Sequence, residues 1–230
     1  MRATAVRCRI RPMQPDDISM VLDIERQSFP SIWPRTAYQR ELKNKMARYL
    51  VIYQPIEDDP ATEEPPNAAE RGIGALVRRF LGGGPPSREP ILGMVGLWCM
   101  MGEGHIVTIA VQKELRRQCI GEVLLVAVLE AAMEAGQEVV TLEYRVSNQA
   151  ARALYEKYGF SQMGVRARYY SDNQEDAVLM TTPPLRSSLF RRLLARRIEE
   201  QRSRWGDGYP LAGGFARRLV RPNGEQGIAR

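Results

Sequence analysis

The chain is poor in the residues that build extracellular scaffolds and metal centres. Its 230 residues hold three cysteines, Cys8, Cys99 and Cys119, and one histidine, His105. Three widely separated cysteines with no CxxC spacing exclude a disulfide framework and a structural zinc site, and they point to a reducing cytosol. Long apolar runs are missing too: the longest, within 120–133, is too short and too acidic to span a bilayer. The opening MRATAVRCRIRPM has no apolar segment of the signal-peptide kind, so a soluble, cytoplasmic protein without membrane insertion is expected. No Cys/His or Ser/His pairing argues for a covalent acyl-enzyme, and no metal is expected.

Excess positive charge is absent from most of the chain. The net charge is +6, yet from Thr181 onward eleven arginines face four acids, +7 in all, while the remainder sets 22 basic residues against 23 acids. Basicity therefore belongs to a carboxy-terminal appendage and not to the core. With 44% hydrophobic residues the chain can bury one substantial core, and its length does not require a second domain.

Periodicity gives the order of elements. Residues 6–13 alternate apolar and basic as an edge strand. Pro15, Asp16 and Asp17 open a helix in which Ile18, Val21, Leu22 and Glu25 recur at helical spacing, and it ends near Phe29-Pro30. Pro34 starts a second helix carrying Tyr38 and Leu42, and Tyr49 to Tyr53 is a strand. Residues 54–90 hold seven of the fifteen prolines and a cluster of acids, a composition that reads as a disordered insertion; 74–81 within it could form two helical turns. Strands follow at 91–101 and 106–111, joined by Gly102-Glu-Gly104.

The next helix, 120–135, is apolar on almost every side, with Glu122, Glu130 and Glu134 as one thin polar stripe, so it should be nearly buried and stop at Gly136. In the strand 139–146, Val140, Leu142 and Tyr144 share one face, and Thr141, Glu143 and Arg145 the other. Ser147 caps a helix over 148–158 that Gly159 ends. Strands at 161–169 and 176–182 complete the pattern. Residues 185–204 form a basic amphipathic helix with Leu185, Leu189, Phe190, Leu193, Leu194 and Ile198 on one face. From Trp205 on, the chain reads as weakly ordered.

The junction Thr108 to Gly121, TIAVQKELRRQCIG, carries the chemistry. A helix N-terminus offers unpaired amides and the positive end of a dipole, and Arg116 and Arg117 add full charge beside it. It reads as a pyrophosphate cradle or as an ordinary strand-to-helix turn with a basic surface. A second block, L142-E-Y-R-V-S-N-Q-A-A-R-A-L-Y-E-K-Y-G-F160, places Glu143 near the carboxyl end of a strand, where open α/β sheets bind ligands.

The segment R116-R-Q-C-I-G121 resembles the acetyl-coenzyme A signature Gln/Arg-x-x-Gly-x-Gly/Ala of GNAT-family N-acetyltransferases, with Cys119 standing where the first glycine is expected. The block 142–160, with R168-Y-Y170 and E175-D-A-V-L-M180, is similar to the RimI-like branch that acetylates the N-terminal alanine of a ribosomal protein. The resemblance covers roughly 7–183 without the insertion. It implies an α/β (α+β) mixed sheet, mostly antiparallel, with a splayed pair of strands and flanking helices. The chain then divides into an acetyltransferase domain, 1–183, and an arginine-rich helix and flexible tail, 184–230.

The same resemblance implies site roles. Glu143 would deprotonate the amine and Tyr155 would protonate the departing thiolate; Tyr158 is the competing phenol, better read as core. Backbone groups of Ile109, Ala110 and Val111 would hold the pantetheine arm, and Arg116, Arg117, Gln118, Cys119, Ile120, Gly121 and Glu122 the phosphates, with weakened binding from the Cys119 Cβ. Asn148 would hydrogen-bond the cofactor, and Phe29, Trp33, Tyr169 and Tyr170 would wall the substrate groove. From spacing alone, Glu143 reads as a solvated carboxylate paired with Arg145, and His105 as a structural or surface residue.

The expected co-substrate is acetyl-coenzyme A and the expected acceptor a protein N-terminus. At pH 7 about one-tenth of α-amines but only about one in 2,500 lysines is neutral, so one carboxylate has the easier task with a protein N-terminus. A GNAT acting on lysine or a small amine shares every cofactor residue. A third reading is a weakened domain that binds RNA or a ribosomal partner through its arginine-rich tail.

Overall fold

The computed structural model describes residues 8–29, 36–55 and 89–211. Seven strands form one sheet in the order β1-β2-β3-β4-β5-β7-β6: β1 Arg9–Pro12, β2 Ala47–Tyr53, β3 Ile91–Met100, β4 Glu103–Val111, β5 Val139–Arg145, β6 Ser161–Tyr170 and β7 Glu175–Thr181. Every neighbouring pair is antiparallel except β4 with β5. The α/β mixed sheet expected from the resemblance is thus present. Residues 56–88 and the short helix proposed at 74–81 lie outside the described residues. Their flanks, β2 and β3, are antiparallel neighbours in register from Ala47↔Trp98 to Tyr53↔Ile91.

Two cores sit on opposite faces of the sheet. On one, α3 (Ile120–Glu134), α4 (Gln149–Lys157) and α5 (Ser188–Trp205) pack together; α1 (Ile18–Ser28) and the single turn α2 (Tyr38–Glu41) cover the other. Val123 to Leu129 in α3 are fully buried without interruption, as an all-apolar helix requires. Its acid stripe is graded: Glu122 and Glu130 are half-buried and Glu134 is exposed.

The carboxy-terminal helix departs from its sequence reading. It starts at Ser188, where the Ser187 hydroxyl accepts from the Phe190 N–H at 3.3 Å, so Leu185 precedes the helix and Leu189 turns outward, 67% exposed. Phe190 and Leu194 are buried in the α3-side core, and so are Tyr209 and Leu211 beyond the helix. The stretch after Trp205, expected to be weakly ordered, is a 3₁₀ turn over Gly206–Gly208 leading into buried Tyr209. Residues 212–230 lie outside the described part. Other boundaries moved for local reasons: Pro15–Asp17 is a 3₁₀ turn ahead of α1, and the Asn148 side chain, not that of Ser147, caps α4.

Candidate active site

One irregularity opens the sheet. The parallel ladder of β4 with β5 runs from Glu103↔Val139 only to Ile106↔Leu142. On its other side β4 pairs Ile106 with Leu97 and Thr108 with Gly96, so Val107 is an extra residue, a bulge in β4 next to the last β4–β5 pair. A bulge bends its strand and increases local twist, which turns the carboxyl half of β4 away from β5. The gap is the splayed pair that the resemblance implied. A cavity of about 570 Å³ fills it, walled by β4, β5, α4, the end of β6 and α1.

Glu143 and His105 flank the end of the ladder. His105 Nε2 lies 3.0 Å from one carboxylate oxygen of Glu143, and an Arg166 Nη lies 3.0 Å from the other; the carboxylate is 8% exposed. The His105 hydrogen bond lowers the Glu143 pKa, burial opposes it, and the charges of His105 and Arg166 lower it further. The imidazole is oriented from behind. Thr141 Oγ1 donates to Glu103 at 2.5 Å, so its one proton is committed and it accepts from His105 Nδ1 at 2.8 Å. Nε2 on the other side of the ring faces the Glu143 carboxylate at 3.0 Å. His105, read from sequence as structural or surface, therefore belongs to the site.

Arg145 does not pair with Glu143. Its guanidinium holds Asp172 at 2.9 and 3.0 Å and Glu175 at 3.4 Å, and stacks over the Tyr170 ring at 3.9 Å. That fastens the β6–β7 turn and sets Tyr170 against the cavity, next to Tyr169 in an edge-on pair at 5.2 Å. Phe29 lines the opposite side; Trp33 lies outside the described residues. Tyr155 is buried on the cavity wall between Tyr144 and Phe160, and burial pushes its phenol pKa up, so it stays a proton donor. Tyr158 is core, as expected, its hydroxyl donating to Glu122 at 2.9 Å.

The expected cofactor residues divide. Ile109 and Asn148 line the cavity, although the Asn148 Oδ1 already accepts from the Ala151 N–H at 3.0 Å. The Ala110 side chain is buried on the α1 side and that of Ile120 on the α3 side, while Val111 packs against the latter core. Arg116 bonds the Val111 carbonyl at 3.2 Å and Ser28 Oγ at 3.0 Å, and Gln118 bonds the Glu114 carbonyl at 3.4 Å. Arg117 and Cys119 both take left-handed backbone, φ 65° and 64°. Glu122, expected to face phosphate, instead receives Lys157 Nζ at 2.5 Å and Tyr158 Oη at 2.9 Å, and Arg204 approaches to 3.7 Å.

Coenzyme A fits this loop. Glu122 and Val123 are the first N–H groups to bond back, both to the Cys119 carbonyl, which leaves the amides before them to other partners. Unpaired amides at a helix start bind anions. Among the described residues nothing demands glycine at 121: a Cβ there would meet Val111 and Leu154, at 3.9 and 4.0 Å. Space kept open beside outward amides suits a phosphate.

Sequence reasoning missed two further groups. Glu25 is buried and lines the cavity from α1, held by Thr36 Oγ1 at 2.7 Å and the Tyr38 hydroxyl at 3.2 Å. Its signal was an acid at an apolar position of the helical period. Arg166 gave none, because its role depends on β6 reaching across β7.

The model of the Acetyltransferase (GNAT) family matches residues 18–160. The chain belongs to the GNAT family. A putative [ribosomal protein bS18]-alanine N-acetyltransferase of Bacillus subtilis is 34% identical over 175 residues, 76% of this chain and 94% of the relative. An N-alpha-acetyltransferase of Sulfurisphaera tokodaii is 32% identical over 176 residues, covering 76% and 92%. Among solved structures, the ribosomal-protein-S18-alanine N-acetyltransferase from Escherichia coli shares the fold with TM-score 0.55 at 22% identity, over 77% of this chain and 94% of that one. This GNAT chain is an acetyl-coenzyme A-dependent N-acetyltransferase, and no helix among its described residues is long and apolar enough to cross a membrane.

Proposed function

We propose that this GNAT enzyme acetylates the N-terminal α-amine of a protein, an alanine of a ribosomal protein being the acceptor that its relatives' names suggest. The observation that carries the reading is the cavity where β4 leaves β5, which has Glu143 and Tyr155 on its walls and Glu25 facing it from α1. Acetyl-coenzyme A supplies the thioester carbonyl that the acceptor nitrogen attacks. Glu143 takes the proton of the acceptor ammonium, and Glu25 adds negative charge that draws that ammonium in. Tyr155, kept protonated by burial, gives its hydroxyl proton to the leaving sulfur as the carbon–sulfur bond breaks, and the second proton shed by the nitrogen as the amide forms restores the phenol. The loop 116–121 orients the donor through its amides and arginines, with Ile109 and Asn148 alongside the pantetheine arm.

Base strength supports this acceptor class. A carboxylate stabilised by His105 and Arg166 is a weak base. It suits an amine already neutral in roughly one molecule in ten, and is poorly matched to lysine, neutral about 250-fold less often at pH 7. Mass spectrometry of a peptide starting Ala-Arg and containing one lysine tests this. The expected product carries one acetyl group on the α-nitrogen; modification of lysine alone, or none with folded protein, would refute it. A role for the basic tail in holding RNA has to be tested from residue 212 onward, because removing 185–230 would strip Phe190, Leu194, Tyr209 and Leu211 from the core.

A further inference from the structure

We infer that Arg204, in the last turn of α5, is a phosphate-binding residue of the coenzyme A site, so that the carboxy-terminal helix supplies part of the cofactor cradle. The inference rests on the acetyl-coenzyme A reading. Arg204 lies beyond residues 18–160, the part matched by the family model. One Nη lies 2.6 Å from Cys119 Sγ, in the left-handed turn that begins α3, and 3.7 Å from Glu122. The Arg204 side chain is 52% exposed.

The position of Arg204 is built rather than incidental. One turn earlier, Gln201 is 1% exposed; its Nε2 donates to the Tyr158 hydroxyl at 2.6 Å and its Oε1 accepts from the Tyr209 hydroxyl at 3.1 Å. Tyr158 in turn donates to Glu122 on α3. A buried chain of hydrogen bonds thus registers α5 against the first turn of α3, and Arg204 projects from that registered turn onto the loop. A thiol is a weak acceptor, and Glu122 already receives Lys157 and Tyr158. Neither saturates a planar fork with five donors, which matches a carboxylate or a phosphate, and at a helix start with unpaired amides the phosphate is the fitting one. The cations on Glu122 also remove a negative charge that would repel an anion at this helix start.

Calorimetry on the full chain tests the assignment with coenzyme A, dephospho-coenzyme A and S-acetylpantetheine, which has no pyrophosphate. Arg204→Ala should weaken coenzyme A roughly tenfold, the size of one charge-assisted hydrogen bond, and leave S-acetylpantetheine unchanged. Arg204→Lys should recover part of the loss. A loss that persists with dephospho-coenzyme A assigns the guanidinium to the pyrophosphate; one that disappears assigns it to the 3′-phosphate.

Glu122→Gln separates contact from mere neutralisation: Arg204→Ala should still weaken coenzyme A in that background. Unchanged coenzyme A affinity, an equal loss for coenzyme A and S-acetylpantetheine, or no loss in the Glu122→Gln background would overturn the assignment. A wild-type chain that binds no coenzyme A would instead overturn the acetyl-coenzyme A reading, and this assignment with it.

Discussion

Replacing Cys119 by glycine should stabilise the protein, and the reason can be worked from one dihedral angle. Cys119 sits at φ 64°, ψ 5°, where an L side chain crowds its own backbone at roughly 1–2 kcal/mol. Glycine removes that crowding but gains about 0.5–1 kcal/mol of unfolded-chain entropy, leaving a net gain of up to about 1.5 kcal/mol, roughly 0.75 at mid-range. In a chain of this size that raises the melting temperature by about 1–4 °C. Cys119→Ala is the control: it deletes the thiol and its contact with Arg204 but keeps the Cβ. Thermal and urea unfolding should rank glycine above alanine by about 1 kcal/mol. If alanine equals or exceeds glycine, the turn is not strained as described, and the cysteine is no compromise in the fold. Coenzyme A affinity should rise with glycine, because the same Cβ borders the phosphate amides.

Three further outcomes are expected. Glu143→Gln should lower turnover by roughly 10²–10⁴-fold with coenzyme A affinity preserved, since it removes the base and leaves the cradle; an unchanged rate would assign proton removal elsewhere. Gly159→Ala should destabilise more than Gly136→Ala: both glycines are left-handed, φ 84° and 75°, but only at 159 would a Cβ strike a neighbour, Leu193 of α5 at 2.7 Å. Equal losses in urea unfolding would mean that α5 is not packed there. Glu175 accepts from Ser147, Asn173 and Arg145, which hold its pKa at about 2 against an ordinary 4.5. The unfolded chain therefore binds that proton first on acidification, and the stabilisation present above pH 4.5 is lost as pH falls toward 2. Glu175→Gln should flatten this part of the stability–pH curve; an unaltered acid limb would show that other carboxylates govern it.

What the sequence made legible was whatever repeats along one element. The period of 120–135 gave a buried helix, and alternation in 139–146 gave the face that carries Glu143. The hidden features each depend on two segments far apart in the chain. The bulge at Val107 exists only as a mismatch of register with β3, and nothing in Ile-Val-Thr announces it. His105 meets Glu143 because a short parallel ladder sets β4 beside β5, and Arg166 arrives from a strand on the far side of β7. In α5 the abundant arginines masked a buried seam. Its key residue, Gln201, is polar, so an apolar-face reading passes over it, and the later helix start turned Leu189 outward.

The same packing explains why a loop with two left-handed non-glycine residues persists. Between Ile120 and Leu129, α3 buries seven apolar side chains larger than alanine, worth roughly 10–20 kcal/mol as an upper bound. Left-handed turns at Arg117 and Cys119 together cost about 2–4 kcal/mol. The helix therefore keeps its axial position and register, and the loop absorbs the difference. Relaxing either turn would shift the first amides of α3 along its axis, away from the end of β4 and from Arg204. The strained loop is the part that bends so that a rigid helix can begin next to Val111, at the end of β4, and within reach of Arg204.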